Sequence, residues 1–537
     1  MITYIPENGA VEYDVVVVGA GAGGIFAVHE FKEAGLSVLG IEAASGVGGV
    51  WFHNRYPGAR VDVESYFYCF VDPLIYSQWR WSERYAAQPE ILEYLNFAAD
   101  AYRVKGNYKF STRMTGAQWV PAENHYAISM SDGEKVTARF LVMATGQLSE
   151  ARKPKFEGLD SFEGKWVQTS HWPEEPVEVS GKRIGVIGTG SSGVQVIPPL
   201  AKQAQHLHVF QRTANYSVPA QNAPIDENVF AEITTRTDEV WAELTSNPSG
   251  TRNLSGTELA TELSAEEQQQ RLEEHWAWGG HSMNSVFPDQ GRDIRSNTLV
   301  AEFVRKKIRE TVDEPTTAEK LVPTAYPIGS RRLCVDIGYY ETYNRDNVTL
   351  IDVNAEPIEK ITPKGIKTAS SEIELDLIVF ALGFDAFTGA LDQANIRNET
   401  GEQPTDRWAR GPRTYLGLMT AGFPNLFIVT GPGSPSVLAN MILGNMQHVR
   451  FIRDAIVYMN EHGYSRIEPS ITAEDEWGEH SAETSSRLLR LGVENYMVHV
   501  NTDDQSRVFI PYTGGLDKYV ERMTQVAQND YEGFVFE

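Results

Sequence analysis

The feature that most constrains the fold of this chain is a glycine-rich loop that occurs twice, with the middle glycines 190 − 21 = 169 residues apart. In the first copy a β-branched segment, Val15–Val18, leads into Gly19, Gly21 and Gly24, then a helical pattern and a short strand that ends at Glu42. This order is typical of a βαβ unit that binds a dinucleotide, whereas an isolated GxGxxG is more often only a glycine-rich turn.

Each glycine of the first loop has a separate physical task. The first permits a tight turn, the second lets the backbone approach a pyrophosphate, and the third lets the helix pack against the strand. The start of the helix supplies unpaired N–H groups and partial positive charge for the phosphates. Glu42 follows the middle glycine by 42 − 21 = 21 residues, where a carboxylate can accept hydrogen bonds from an adenosine ribose. The first loop therefore predicts a nucleotide cofactor.

The second loop, formed by Gly188, Gly190 and Gly193, follows the strand-like segment RIGVI. Arg212 stands 212 − 190 = 22 residues after the middle glycine and is followed by Thr213. A cation and a hydroxyl suit a 2′-phosphate, which a carboxylate would repel. We therefore assign FAD to the first loop and NADPH to the second. The plain alternative for Arg212 is a solvated arginine at the end of a strand.

The charge balance excludes several classes of partner. The chain has 47 Lys and Arg against 72 Asp and Glu, a formal net charge of −25, which argues against nucleic acid or anionic lipid as a main partner. Cys69 and Cys334 lie far apart without CxxC spacing, so neither a disulfide framework nor a dithiol flavoprotein reductase is predicted. No HExxH motif or Cys/His cluster predicts a metal, and His206 and His208 are expected to point to one face of a strand.

The sequence predicts a cytosolic protein. The apolar run from Val15 to Val28 contains four glycines and is shorter than the roughly 20 residues of a membrane helix. The first residues, MITYIPENGAVEYD, include no basic segment, and the final GFVFE matches no lipidation or peroxisomal signal.

The predicted fold class is α/β, with two Rossmann-like dinucleotide-binding domains and a helical insertion in the NADPH domain. Residues 1–149 and 389–537 are assigned to the FAD domain, 150–225 and 329–388 to the NADP domain, and 226–328 to the insertion. The insertion contains helix-like segments such as AEEQQQRLEEHWAW and LVAEFVRKKIRETV. Its aromatic residues Trp276, Trp278 and Phe287 either line a substrate entrance or, as is more usual at helical spacing, belong to the core.

Between the two loops the sequence reads GGVWFHNRYPGARVDVESYFYCF, and this segment resembles the Baeyer–Villiger monooxygenases, flavin enzymes that insert an oxygen atom beside a ketone carbonyl. The match continues through the second loop, YPIGSRRLCVDIGYYETYNRDNV and ALGFDA, so it covers nearly the whole chain. The residues of the first segment that match the family pattern are Gly48, Gly49, Trp51, Arg55, Tyr56, Pro57, Gly58, Arg60 and Asp62.

Two departures from the family pattern stand out. Before the second loop the chain has FEGKWVQTSHWP, with Gln168 where the family has histidine and with His171 three residues later. Glutamine can still donate one hydrogen bond in that position. Near the C-terminus Tyr496 occupies the place of a tryptophan that contacts the nicotinamide ribose in the family, and the following HVNTDDQS also differs.

The resemblance implies a catalytic pair. In GSRRLC the family's catalytic arginine corresponds to Arg332, whose guanidinium would stabilise the negative charge of a deprotonated peroxyflavin and of its adduct with the ketone. Asp62 would orient Arg332, and Arg331 would contact the 2′-phosphate. NADP⁺ is expected to stay bound after it has given its hydride. The resemblance further implies cofactor contacts from Val50, Trp51, Arg60, Asp62, Tyr68, Met114, Thr189, Ser191, Ser192, Gln195 and Tyr496.

The predicted activity is therefore the NADPH- and O₂-dependent conversion of ketones to esters or lactones, with sulfoxidation as a further activity. The nearest alternative is an N- or S-oxygenating flavin monooxygenase, which shares both loops but does not need the pair formed by Arg332 and Asp62. A non-enzymatic flavin sensor or scaffold is a third interpretation, to which only Gln168 and Tyr496 point. The sequence identifies neither the ketone nor the oligomeric state.

Overall fold

The computed structural model describes residues 11–501 and 504–537, which fold around two large β-sheets. Most of the N-terminal segment used above for the prediction of location lies outside the described residues, as do two positions of HVNTDDQS. Each sheet contains one of the two glycine-rich loops. The fold is thus α/β, as the sequence predicts.

The first sheet holds the first loop and has eight strands. The central strand Tyr13–Val18 pairs in parallel with Val38–Ile41 and Lys135–Met143. Its valines at 15, 16 and 17 are fully buried, because parallel strands covered on both faces form continuous apolar runs. In spatial order the strands are Ile396–Arg397, Met114–Val120, His125–Met130, Lys135–Met143, Tyr13–Val18, Val38–Ile41 and Tyr108–Lys109, with Leu426–Ile428 paired to Lys135–Met143.

The second sheet holds the second loop and is parallel throughout. Its five strands, in spatial order, are Val348–Asp352, His206–Gln211, Arg183–Ile187, Leu377–Phe380 and Lys165–Gln168. The rings of His206 and His208 lie 4.6 Å apart on one face of their strand, which confirms that prediction. The smaller sheets consist of Ile358–Thr362, Gly365–Thr368 and Glu372–Glu374, of Ser217–Pro219 and Cys334–Asp336, of Ile467–Pro469 and Phe534–Phe536, and of Val498–Val500 and Arg507–Phe509.

Helices cover the sheets and connect their strands. The helix Ala22–Glu33, called the first-loop helix below, and the helix Ser191–Gln203, called the second-loop helix, follow the two glycine loops. The other α-helices are Val50–His53, Pro73–Tyr76, Gln88–Ala101, Glu227–Thr235, Thr237–Thr245, Ala265–Trp278, Ile294–Thr311, Pro315–Leu321, Gly389–Gln393, Pro404–Arg407, Met441–His462, Ile471–Ser485 and Leu516–Gln528. Short 3₁₀ helices span Lys105–Asn107, Leu159–Ser161, Ala260–Glu262, Gly280–Asn284, Glu341–Asn344, Ser436–Leu438 and Leu489–Gly492.

The segment predicted as an insertion is helical where the sequence indicates it. The helix Ala265–Trp278 begins at a capping box in which Ser264 and Glu267 satisfy each other's backbone N–H groups. It ends at Gly279, whose φ of +81° disfavours other residues. The second predicted segment lies in the helix Ile294–Thr311, except for its last residue, Val312, which is extended.

The three aromatic residues of this segment have different surroundings. Phe287 is buried in the core, and the Trp276 ring packs edge-on against Phe303. Trp278 is 40% exposed and contacts the guanidinium of Arg84. Packing therefore accounts for Phe287 and Trp276, while Trp278 lies at the surface.

After the second sheet the chain returns to the first. The strand Leu426–Ile428 joins the first sheet, and the helix Met441–His462 packs along the first-loop helix, with Arg453 and Arg450 beside Glu30. The strands near each glycine loop thus come from two separate stretches of sequence. The boundaries at 149/150, 225/226, 328/329 and 388/389 stay predictions.

Candidate active site

The first and third glycines of both loops allow the same close packing. A Cβ atom on Gly24 would overlap the carbonyl oxygen of Gly19, and a Cβ atom on Gly193 would overlap that of Gly188. Gly19 and Gly188 adopt φ values of +109° and +108°. These four positions need glycine because the fold itself leaves no room for a side chain.

The middle glycines differ from the other four, because neither backbone conformation nor packing within the protein requires a glycine there. Gly21 and Gly190 have ordinary φ values of −75° and −76°. A Cβ atom on Gly190 would meet no described atom within 4 Å, and one on Gly21 would make only an ordinary contact with Gly49 at 3.5 Å. No described side chain caps the helix that starts after either glycine. The free space and the free N–H groups are what a dinucleotide pyrophosphate requires, so both loops fit such a cofactor.

The GGVW segment forms the second wall of the first loop. Gly48 N–H donates to the carbonyl oxygen of Ala20 at 2.9 Å, and a Cβ atom on Gly49 would lie 2.9 Å from the Cα atom of Gly21. Val50 and Trp51 begin the short helix that follows, and Trp51 Nε1 donates to Tyr68 Oη at 3.0 Å. The residues predicted to contact the flavin thus stand next to the loop predicted to bind its phosphates.

Glu42 is buried just after the strand Val38–Ile41. Its carboxylate oxygens accept hydrogen bonds from the N–H groups of Ala20 and Ala44, both at 2.7 Å. Burial raises the pKa of Glu42, and these N–H donors counteract part of that rise. Each carboxylate oxygen keeps a further lone pair for a ribose hydroxyl. Met114 is buried nearby in the cluster that contains Ile41.

Arg212 and Thr213 follow the strand His206–Gln211 at the edge of the second loop. Thr189 Oγ1 donates to the carbonyl oxygen of Thr213 at 3.2 Å, which ties the two segments together. The Arg212 side chain is exposed and pairs with no described carboxylate. It is therefore free to bind an anion that arrives at the loop.

Arg332 and Asp62 form a bidentate ion pair. Arg332 Nε donates to Asp62 Oδ2 at 2.6 Å and Nη2 donates to Oδ1 at 2.7 Å. A third bond, from Nη1 to the carbonyl oxygen of Val437, measures 2.7 Å. The exposed fractions of the two side chains are only 27% and 22%. The two residues are 332 − 62 = 270 positions apart in sequence, so the fold brings the predicted pair together.

Both members of this pair are held in their charged forms. Burial alone would raise the pKa of Asp62, but the Arg332 guanidinium and the nearby His281 ring together outweigh burial and keep that pKa well below its usual range. Burial likewise disfavours the charged form of Arg332, and the Asp62 carboxylate raises the pKa of the guanidinium above its usual range. The site therefore contains a permanent cation in a fixed orientation.

The YPGARVD segment that carries Asp62 packs against the second-loop helix. Gln195 on this helix accepts a hydrogen bond from Tyr56 Oη at 2.7 Å and donates to the carbonyl oxygen of Arg60 at 2.9 Å. A Cβ atom on Gly58, which has a φ of +85°, would overlap the carbonyl oxygen of Gln195. Gln195 thus links the segment of Asp62 to the predicted NADP loop.

Tyr496 lies near this ion pair, and Ser191 lies near the segment Arg331–Cys334 that carries Arg332. Ser191 Oγ lies 3.7 Å from the sulfur of Cys334, two residues after Arg332. Arg331 lies over the Tyr326 ring at 4.7 Å, and its Nε atom is buried without a described hydrogen-bond partner. Burial raises the pKa of Tyr496, and Arg332 is close enough to lower it in part.

The guanidinium of Arg60 is already occupied by protein groups. It forms an ion pair with Glu83 and donates to the carbonyl oxygen of Tyr85. Its role as a cofactor contact stays a prediction, and these bonds favour a structural role.

Gln168 makes the single hydrogen bond expected of it. Its Nε2 atom donates to the carbonyl oxygen of Arg152 at 2.9 Å. His171 pairs with Gln168 through the backbone, and its ring lies 5.0 Å from that of His53. The amide therefore joins the end of the strand Lys165–Gln168 to the segment that precedes it.

The structure adds to the site one residue that the sequence does not predict. His281 Nε2 lies 3.5 Å from Asp62 Oδ2, on the carboxylate that Arg332 binds. The only signal for it in the sequence is the Gly-Gly pair that precedes it at the end of a predicted helix.

Comparisons with known proteins agree with this geometry. The family described as "Pyridine nucleotide-disulphide oxidoreductase" matches residues 16–329, which include both loops. The 2-oxo-Delta(3)-4,5,5-trimethylcyclopentenylacetyl-CoA monooxygenase of Pseudomonas putida is 40% identical over 97% of this chain and 98% of its own length. A Baeyer-Villiger monooxygenase of Pseudooceanicola batsensis is 39% identical over 98% of this chain and 96% of its own.

A solved structure described as OTEMO complex with FAD and NADP superposes with a TM-score of 0.95 at 40% identity, over 98% of this chain and 100% of that one. The chain belongs to the oxidoreductase family above and is a Baeyer–Villiger monooxygenase. This confirms the predicted family, fold class and enzyme class. As a member of this class it is an FAD-containing, NADPH-dependent monooxygenase, and the alternative of a flavin sensor or scaffold loses its support.

The cysteines, the helix lengths and the arrangement of metal-ligating side chains give three further findings. Cys69 and Cys334 are both buried and free, so the disulphide chemistry in the broad family's description has no counterpart here. Within residues 11–501 and 504–537 no helix is long and apolar enough to cross a membrane. The same part of this Baeyer–Villiger monooxygenase contains no group of three or more His, Cys, Asp or Glu side chains arranged to hold a metal ion.

Proposed function

We propose that this monooxygenase inserts one atom of dioxygen between the carbonyl carbon of a ketone and a neighbouring carbon, with Arg332 as the stabilising cation. The reaction balances as ketone, O₂, NADPH and a proton giving ester or lactone, NADP⁺ and water. The bidentate pair of Arg332 with Asp62 carries this proposal. Oxygen insertion beside a carbonyl builds negative charge on oxygen, and a fixed guanidinium stabilises such charge without reorganisation.

The hydrogen bonds of Arg332 leave part of the guanidinium available. A guanidinium has five N–H bonds, of which Asp62 uses two and the carbonyl oxygen of Val437 uses one. Among the described contacts, two N–H bonds remain for a charged oxygen atom. Asp62 fixes the plane of the guanidinium, so these two bonds keep a constant direction.

When bound, FAD supplies the activation of dioxygen and NADPH supplies the hydride. The free space at the middle glycines and the uncapped helix starts support the two phosphate sites. We assign the first site to Gly19, Gly21, Gly24, Glu42, Val50, Trp51, Tyr68 and Met114, with Arg60 and Asp62 beside it. We assign the second site to Gly188, Thr189, Gly190, Ser191, Ser192, Gly193, Gln195, Arg212, Thr213, Arg331 and Tyr496.

Product analysis with isotopically labelled dioxygen tests the proposed reaction. The purified, FAD-reconstituted protein is incubated with NADPH, ¹⁸O₂ and a panel that contains a cyclic ketone, a linear ketone, an amine and a thioether. We expect an ester or lactone with one ¹⁸O atom, formed in proportion to the NADPH consumed. Oxygenation of only the amine or the thioether would overturn the ketone assignment in favour of N- or S-oxygenation, because only a nucleophilic oxidant attacks a carbonyl carbon.

Two smaller proposals concern the domain boundaries and the cellular location of the enzyme. We propose the domain boundaries given above, because each glycine loop lies in a separate sheet. We also propose a cytosolic location for this enzyme, which cell fractionation with an antibody to the chain would test.

A further inference from the structure

His281 extends the ion pair of Asp62 and Arg332 to a third residue. Its Nε2 atom lies 3.5 Å from Asp62 Oδ2, the oxygen that also receives Arg332 Nε at 2.6 Å. The Nε2 atom is buried and makes no hydrogen bond to any other described residue, and the distance of 3.5 Å to Asp62 is longer than a normal hydrogen bond. The Asp62 carboxylate is therefore the described acceptor that a hydrogen on Nε2 faces.

Asn284 decides which nitrogen of the His281 ring carries the proton. The Asn284 Nδ2 atom lies 3.3 Å from His281 Nδ1. An amide nitrogen only donates, so Nδ1 must accept, and the neutral ring then carries its hydrogen on Nε2. Nε2–H is the atom that faces Asp62. The neighbouring amide thus selects the tautomer that donates to the carboxylate.

The backbone around His281 is built to present the ring in this place. Gly279 and Gly280 have φ values of +81° and +58°, and a Cβ atom on Gly280 would overlap Tyr85 Oη. On the other side, Ser282 is fully buried, and its Oγ donates to the carbonyl oxygens of His275 and Gly279 at 2.8 and 2.9 Å. The turn that carries His281 is therefore fixed at both ends.

We propose that His281 is a positioning residue that holds the Asp62 carboxylate through Nε2–H and thereby keeps Arg332 in the orientation needed for oxygen insertion. The proposal rests on the proposed role of Arg332. Without His281, the Asp62 carboxylate is held by the guanidinium alone, and only the bond from Arg332 Nη1 to the carbonyl oxygen of Val437 then limits a joint rotation of the two groups. The ring prevents this rotation because it comes from a separate, rigid turn of the helical segment.

Substitution of His281 by leucine and by glutamine tests the proposal. Leucine fills the space without donating, whereas the glutamine amide can reach the position of Nε2 and donate from it. We expect His281→Leu to lower the rate of ketone oxygenation and the ester formed per NADPH about tenfold, because one hydrogen bond to a charged group is lost. The FAD content and the KM for NADPH should stay unchanged. His281→Gln should restore most of this loss. His462→Leu, at an exposed histidine, serves as the matched control.

A second pair of variants separates positioning from packing. Asn284→Leu should lower ester formed per NADPH when His281 is present, because the ring loses its fixed tautomer. The same change should have no effect in the His281→Gln background, since glutamine has no tautomers. Equal effects of Asn284→Leu in both backgrounds, or equal losses in His281→Leu and His281→Gln, would overturn the proposal. If His281→Leu does not fold, His281→Asn replaces it, because asparagine is too short to reach Asp62.

Arg332→Ala, measured in the same assays, distinguishes the role of Arg332 from that of His281. Full ketone oxygenation in Arg332→Ala would refute the proposed function of Arg332 itself. Loss of oxygenation in Arg332→Ala together with wild-type behaviour of His281→Leu would refute only the role of His281.

Discussion

Removal of the charge at Arg332 should abolish oxygen insertion while FAD stays bound. Arg332→Ala deletes both bonds to Asp62 and leaves that carboxylate partly buried without its cation. Loss of one partner of a buried pair costs about 3–5 kcal/mol in stability. Loss of a donor that stabilises an oxyanion costs about 3–4 kcal/mol in the barrier, or roughly 10²–10³ in rate. Arg332→Lys should rescue poorly, since a point charge cannot bind both carboxylate oxygens and the substrate oxygen.

A double variant separates the two losses. In Arg332→Met with Asp62→Asn both charges are absent, so most of the stability should return while ketone oxygenation stays lost. The assay is stopped-flow measurement of flavin reduction by NADPH and, separately, of ketone-dependent reoxidation, together with thermal unfolding. Ketone oxygenation at a near wild-type rate in either variant would refute the assignment of Arg332 as the stabilising cation.

Three further predictions concern the cofactor loops and a buried acid. Gly190→Ala should unfold like the wild type but raise the KM for NADPH several-fold, whereas Gly193→Ala should destabilise the fold. The reason is that a Cβ atom overlaps protein atoms at residue 193 but not at residue 190. An unchanged KM for NADPH in Gly190→Ala would contradict a phosphate contact at this position. Arg212→Ala should raise the KM for NADPH and leave that for NADH unchanged, and equal changes for both would contradict a 2′-phosphate contact. Burial raises the pKa of Asp336 from 3.8 to about 6, so this group destabilises the fold increasingly as pH rises from 4 to 6, by about 3 kcal/mol in all. The melting temperature of Asp336→Asn relative to that of the wild type should therefore increase as the pH rises from 4 to 6. A difference in melting temperature that does not change with pH would contradict the raised pKa.

Local features of the fold could be predicted because their causes are local in sequence. The helix Ala265–Trp278 is specified by a capping box at its start and a glycine at its end. In the first loop, a Cβ atom on Gly24 would overlap the carbonyl oxygen of Gly19, which is only five residues earlier. The bidentate pair of Arg332 with Asp62 was predicted only from resemblance, since no spacing rule connects residues 270 positions apart.

The contacts that the sequence did not reveal depend on how the units pack together. His281 meets Asp62 across 219 positions, and Gln195 meets Arg60 across 135. For Arg60, the family motif indicates a cofactor contact that the structure does not support. Its guanidinium instead forms an ion pair with Glu83, from a neighbouring segment. Side-chain partners of this kind become visible only when the sheets and the helical segment are placed in space.

The energetics of the Asp62–Arg332 pair indicate why a protein would retain it. Transfer of two charged groups from water to a largely buried site costs several kcal/mol per ion, and their attraction only about repays this cost. A well-packed apolar pair would stabilise the fold at least as well. A carboxylate that accepts two hydrogen bonds from Arg332, with His281 3.5 Å away, and a guanidinium with two unused N–H bonds are therefore poorly explained by stability. They are well explained by a requirement for a cation whose direction stays fixed while negative charge develops on a neighbouring oxygen atom.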